Sequence, residues 1–168
     1  MAVSIYTASV PLISHMLNAL SNVLGKGAAN AAERKIDPSV FVTARLAPDM
    51  LSLARQVQIA TDMSKGGVAR LAGVEIPKYE DTETTIEDLQ ARIAKTIAFM
   101  QSVPESAIAG ADAKEITFKA GQRDMSFSGA DYLLKWVIPN MMFHVTTAYD
   151  ILRHNGVPVG KRDFLGTN

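Results

Sequence analysis

The sequence predicts an all-α protein: a bundle of four helices, with one small β-hairpin between the third helix and the fourth. Three observations predict it. Apolar residues recur at alternating spacings of three and four through four separate segments, which is the period of a helix with one buried face. Strict apolar–polar alternation, the mark of a strand, occurs in a single short stretch. The chain has 168 residues, 48% of them hydrophobic and 20% charged, and no cysteine. An apolar core, with neither disulfides nor cysteine-bound metal, must therefore hold it together. One domain spanning residues 1–168 is expected, since a chain of this length buries roughly 70% of the surface it exposes when unfolded.

In the first helical segment Tyr6, Val10, Ile13, Leu17, Leu20 and Leu24 form one stripe. Pro11 lies early in it, where it either sits in the first turn or kinks the helix. The segment fades through Gly25, Gly27 and Asn30. The second helix is expected to start near Pro48, a residue suited to a first turn, with Asp49 favoured there by the helix dipole. Leu46, Met50, Leu53, Val57 and Ala60 share its buried face, continued by Val68 and Leu71. Gly66 and Gly67 weaken its last turns, and Gly73 stops it.

The acidic run from Tyr79 to Glu87 reads as a solvated loop leading into the third helix. Thr84 and Glu87 have the spacing of a capping box. Ile86, Leu89, Ile93, Ile97 and Met100 then make the buried stripe, which ends before Pro104. Ile116 and Phe118 alternate with polar residues, as do Met125 and Phe127, around a turn containing Gly121; this is the hairpin. Ser128, with Asp131 three residues on, caps the fourth helix, which runs to about Asn155 and stops at Gly156 and Pro158. Phe164 and Leu165 are expected to pack the tail back onto the bundle.

The fourth helix carries the most functional information. On a 100° wheel, Leu133, Trp136, Val137, Asn140, His144, Thr147, Ala148 and Ile151 share one face. Leu134, Ile138, Met141, Val145, Tyr149 and Leu152 take the opposite one. A helix apolar nearly all round must be covered on more than one side. The hairpin, the tail or a second subunit supplies the extra cover, and a homodimer through this helix is expected. Asn140 and His144, four apart within an apolar face, need polar partners once buried. One reading is a core histidine bonded to Asn140 or to a backbone carbonyl. The other is a polar pocket between helices, the usual place for a ligand in a bundle, to which Asp49 and Gln56 of the second helix contribute. His15, opposite the first stripe, is expected at the surface or in a dimer contact. His154, in the last turn beside Arg153, suits the helix dipole.

Composition excludes several classes. Seventeen Lys and Arg balance seventeen Asp and Glu, so the basic excess of a nucleic-acid binder is missing. The opening residues MAVSIYTASVPLISH have no positive region and no unbroken apolar core, so they are not read as a signal peptide. The most apolar run, Trp136 to Phe143, is broken by Pro139 and Asn140 and is too short to span a bilayer. A cytoplasmic protein is the plain reading. Gly160 and Lys161 lack the rest of a phosphate-binding loop, although Lys161 and Arg162 could hold an anion. Ser52 and Ser64 have no histidine near them in sequence. The eight methionines read as core filler.

The segment RLAPDMLSLARQVQIATD, a long crossing loop, and PNMMFHVTTAYDILRHNGVPVGKRDFLG together resemble a bacterial domain-of-unknown-function family grouped with the DinB and YfiT-like helical bundles. The likeness runs from SIYTASVP to the final DFLG. It implies a four-helix bundle with a long crossover connection, often dimeric. In the wider superfamily three histidines hold a divalent metal, one from the second helix and two, four apart, from the fourth. Some members are thiol-dependent transferases or isomerases. Here the second helix has no histidine, and His144 is flanked by Asn140 four before and Ala148 four after. A catalytic zinc normally takes three protein ligands. No metal or other cofactor is therefore expected; His144 and Asp49 are the weak candidates should zinc or nickel bind.

Two readings of function stand side by side. In the first, the chain is a non-catalytic bundle that binds a small molecule or a partner. In the second, it is a metal- or thiol-dependent transferase or isomerase with a mixed-ligand site of His144, Asp49 and Asn140. Opposite placement of Asp49 and His144 in the bundle would count against the second.

Overall fold

The computed structural model describes residues 3–167. Helix α1, Ile5–Arg34, opens on Ser4, whose side chain accepts from the Thr7 amide at 3.1 Å. Val10, Ile13, Leu17, Leu20 and Leu24 are buried, as their spacing predicts. The helix does not fade at its glycines but runs to a left-handed Lys35, and Pro11 lies inside it, beyond the first turn. A short helix α2, Ser39–Thr43, follows.

Pro48 starts a turn, not a helix. The Met50 amide returns to the Ala47 carbonyl at 3.0 Å, with Pro48 and Asp49 as the two central residues. Proline's fixed φ suits that second turn position as well as it suits a helix start. Helix α3, Leu53–Ala72, begins four residues later than expected for Asp49's role, after Ser52. It runs through Gly66 and Gly67 to a left-handed Gly73, the expected stop. Gly67 is there for space: a Cβ would lie 2.5 Å from Cγ1 of Val137.

Helix α4, Ile86–Ser102, has a capping box one residue along from the predicted pair: Thr85 accepts from the Asp88 amide, and Asp88 accepts from that of Thr85. Aspartate does here what glutamate was expected to do. A short helix α5, Glu105–Ile108, and a 3-10 turn, Ala111–Ala113, lead to the hairpin. Strands β1, Glu115–Ala120, and β2, Arg123–Ser128, pair antiparallel with Ile116 opposite Phe127 and Phe118 opposite Met125.

The fourth bundle helix is composite. A first turn, α6, Gly129–Asp131, is capped by Ser128 as predicted. A π-helical segment, Tyr132–Val137, follows, and then α7, Ile138–His154. Pro139 explains the change. It has no amide hydrogen and its ring crowds the carbonyl one turn back, so a widened turn before it relieves both conflicts. The tail forms α8, Lys161–Leu165.

Helices α1, α4, α3 and α7 form a ring in which each packs on the next and α7 closes onto α1. Chain order differs from ring order, so the α1–α3 connection crosses the bundle, as does the segment from α4 through the hairpin. Both predicted faces of the last helix feed the core: Val137, Ala148 and Ile151 from one, Met141, Val145 and Leu152 from the other. The hairpin covers Trp136, whose ring lies 5.3 Å from Phe118 and 6.1 Å from Phe127. The tail covers Tyr149 through Phe164 at 5.7 Å.

Candidate functional site

Helices α3 and α7 are the closest-packed pair in the ring, and Gly67 lets them approach. About three turns before Gly67, their facing sides bring Gln56 against His144. Nδ1 of His144 lies 2.6 Å from Oε1 of Gln56. The Gln56 amide nitrogen donates to the Leu51 carbonyl at 3.1 Å, so its oxygen is the atom left for the imidazole. Nδ1 must then carry the hydrogen and donate it. In the neutral ring Nε2 keeps its lone pair, and it has no hydrogen-bond partner among the described residues.

Gln56 is 1% exposed, whereas His144 is half-buried. Burial pushes the imidazole pKa below its ordinary value, which keeps the ring neutral at pH 7. The Phe143 ring stands edge-on to it at 5.2 Å and is 58% exposed; Leu51, at the other end of the hydrogen-bond chain, is 41% exposed. The result is a fixed, uncharged acceptor with an exposed aromatic ring beside it. It can bind a donor group or take a proton. Among the described residues no nucleophile or carboxylate bonds to it.

The remaining predicted residues stay apart from this pair. Asn140 turns back along its own helix and donates to the Trp136 carbonyl at 2.7 Å, so it does not partner His144. Asp49 is exposed in the turn before α3 rather than in a first helical turn. Gln56, the least promising candidate by sequence, is the residue that meets His144. Of the other histidines, His15 bonds through Nε2 to the Leu165 carbonyl at 2.8 Å and so fastens the tail to α1. His154 is exposed in the last turn of α7. Ser64 donates to the Ala60 carbonyl, and Ser52 sits at the N-cap position of α3 without a side-chain cap bond; neither bonds to a base.

The donor set does not fit a divalent metal. It offers one imidazole nitrogen, while the oxygen of Gln56 accepts the histidine's own N–H and Asn140 is turned back along its helix by its amide nitrogen's bond to Trp136. Among the described residues no three His, Cys, Asp or Glu side chains converge as a metal site would require.

A second polar cluster escaped the sequence reading. Arg92 of α4 is 4% exposed. Its Nε donates to Thr61 at 2.8 Å, Nη1 to Glu83 at 2.9 Å and to the Glu80 carbonyl at 3.0 Å, and Nη2 to Asp62 at 2.9 Å. Asp81 lies 3.1 Å from Nη2 and also pairs with Arg55. Burial alone would raise the Glu83 pKa, but hydrogen bonds from Arg92 and Gln58 outweigh it and hold the carboxyl below its usual value. The stretch from Glu80 to Glu83 is thus pinned down rather than simply solvated. Beside it Tyr79, Lys95 and Arg92 line an open concavity of about 500 Å3. The signal was present: Arg92 and Thr96 fall at the three- and four-residue spacing of the buried stripe, among Leu89, Ile93 and Met100.

Residues 5–165 match the family described as a domain of unknown function, DUF1993. The chain belongs to this family. A solved structure described as a DinB family member from Shewanella denitrificans is 42% identical to it. That match covers 97% of this chain and 92% of the other, with a TM-score of 0.90, so the DinB-like bundle is shown. No curated protein matches the chain. No helix among the described residues is long and apolar enough to cross a membrane.

Proposed function

We propose that this DUF1993 protein is a non-catalytic, metal-free bundle of the cytoplasm that binds a small molecule or a partner segment at His144. The hydrogen bond from His144 Nδ1 to Gln56 carries this reading. It fixes the tautomer, leaves Nε2 unprotonated, and occupies the Gln56 oxygen with the histidine's own hydrogen. The ligand that suits it offers a hydrogen-bond donor to Nε2 and an apolar body to the exposed Phe143 ring. A carboxylate alone is disfavoured, because a neutral imidazole with its Nδ1 hydrogen committed has nothing to donate. The transferase reading needs a metal or a second catalytic group beside His144, and the residues there provide neither.

The test is a thermal-shift and NMR screen of small amines, amides and alcohols carrying apolar groups, run on the wild type and on His144→Ala. Expected hits stabilise the wild type and move the His144 ring signals, with both effects lost in the variant. Metal analysis of chelator-free protein accompanies the screen. Near-stoichiometric zinc or nickel, lost in His144→Ala, would replace this reading with a mixed-ligand metal site.

A further inference from the structure

The tail helix α8 and the outer side of α7 form a cavity away from His144. Its volume is about 350 Å3, and Met142, Thr146, Tyr149, Asp150, Lys161 and Phe164 line it. Met142, Thr146 and Tyr149 lie about 140–160° around α7 from His144, so the two sites do not share a face of the helix. The tail side is held in place from three directions. Lys26 pairs with Asp163, the Leu165 carbonyl lies 2.8 Å from Nε2 of His15, and the Tyr149 hydroxyl donates to the Val159 carbonyl at 3.5 Å. The rings of Tyr149 and Phe164 meet at 73° with centroids 5.7 Å apart, which makes an apolar corner. Three polar groups line the same cavity without partners among the described residues. Asp150 is half-buried, yet neither Arg153 nor His154, one turn further along α7, pairs with it. Lys161, on the tail side, has no ion pair and does not reach Asp150. The Thr146 hydroxyl makes no hydrogen bond, whereas that of Thr147 beside it returns to the Phe143 carbonyl at 2.8 Å.

We propose that this cavity binds a small zwitterion with an apolar body, the chemistry of an amino acid such as leucine or phenylalanine. Asp150 takes the ammonium and Lys161 takes the carboxylate, each through a charge-assisted hydrogen bond. The Thr146 hydroxyl donates to the carboxylate or accepts from the ammonium. The apolar side chain covers Met142 and rests in the corner of Tyr149 and Phe164. The volume suits a small ligand, since it lies at the lower end of the range of about 300–1,000 Å3 typical of such sites. Charge decides the class. A simple amine leaves Lys161 unanswered and is repelled by it, and a simple acid meets Asp150 in the same way. A neutral apolar molecule would desolvate both charges and pair with neither. A molecule that carries both signs close together bridges the two groups that the fold keeps apart. Arg162, the other residue that the sequence suggests for an anion, does not line the cavity, so Lys161 fills that role. This site is separate from His144 and stands whether or not that residue binds a ligand.

The test follows the Met142 methyl signal by NMR in the full chain, labelled at methionine, as L-leucine or L-phenylalanine is added. Phenethylamine and phenylpropanoate, each lacking one of the two charges, are the controls. Circular dichroism melts establish that the variants Asp150→Asn and Lys161→Met are folded. A saturable shift of Met142 is expected with an amino acid. Either control, and either variant, should weaken binding about tenfold or more, the worth of one charge-assisted hydrogen bond. Asp150→Asn should also bind phenylpropanoate better than the wild type does, because the repelling carboxylate is gone. Three results overturn the proposal. The first is no saturable shift with either amino acid, and the second is a control that binds as tightly as phenylalanine. The third is binding that both variants leave unchanged, which places the ligand elsewhere, at His144 if its ring signals move instead.

Discussion

Replacing Arg92 by methionine keeps most of the stem volume and removes the guanidinium on which the α3–α4 crossover is fastened. The magnitude follows from what each partner loses. Glu83, only 11% exposed at its side chain, forfeits a charge-assisted hydrogen bond of about 1.5–3 kcal/mol. Buried Thr61 loses its donor, about 1 kcal/mol more. Asp62 and Asp81 are 39% exposed and can rehydrate, so their two pairs together contribute at most about 1 kcal/mol. A loss of about 3 kcal/mol results, or a fall in Tm of roughly 6–12 °C for a chain of this size. The pH dependence sharpens the test. The Glu83 and Asp81 pKa values are held below their ordinary values despite burial, so their contribution is complete above the unfolded-state range. It is lost as pH falls through the ordinary carboxylate value near 4.3 towards the lowered one. Urea melts at pH 7 and pH 3.5 should show the wild type losing this increment in acid, and Arg92→Met losing less because it never had it. If methionine does not fold, Arg92→Lys, which keeps a charge but not the fork, should fall between. A loss under about 1 kcal/mol at pH 7, with the acid dependence of wild type retained, would refute the reasoning.

Three further perturbations probe the site and its frame. Gln56→Leu leaves the His144 Nδ1 hydrogen and the Leu51 carbonyl unpaired, and is expected to cost about 1–3 kcal/mol in urea unfolding. The His144 ring, followed by NMR, should titrate below pH 6.5; because its folded pKa is the lower one, stability falls as pH drops through 6.5 towards that value. Gly67→Ala places a Cβ 2.5 Å from Val137, so the strain of about 1–3 kcal/mol should exceed the gain in helix propensity of about 1 kcal/mol. Adding Val137→Ala should relieve much of that strain, which calorimetry of the pair would show.

The four-helix architecture was legible because Leu17, Leu20 and Leu24, or Ile93, Ile97 and Met100, repeat with helical period over several turns. The hairpin was legible to its end residues, since Phe118 and Phe127 alternate with polar neighbours around Gly121. Boundaries set by a few local bonds were harder to read. Pro48 suits a turn as well as a helix start, and Thr84 and Thr85 compete for the same cap. The wheel drawn for the fourth helix assumed an unbroken 100° step, which the π-helical segment before Pro139 does not keep. In the candidate site, His144 was visible as a polar residue on an apolar face. Gln56 stood among the pocket candidates, but that it rather than Asn140 or Asp49 pairs with His144 depends on the relative placement of α3 and α7. Arg92 was passed over because an arginine on a helix is usually solvated; only the fold brings Thr61, Asp62 and Glu83 around it.

His144 presents a neutral, unshared Nε2, held by Gln56. Long-range nitrogen–proton NMR of the labelled ring, in protein purified without chelator, measures this directly. Expected are a protonated Nδ1, an unprotonated Nε2 without the shift that metal coordination brings, and a change of both signals in Gln56→Leu. A metal-shifted Nε2, or a ring protonated at Nε2 and indifferent to Gln56→Leu, would contradict it.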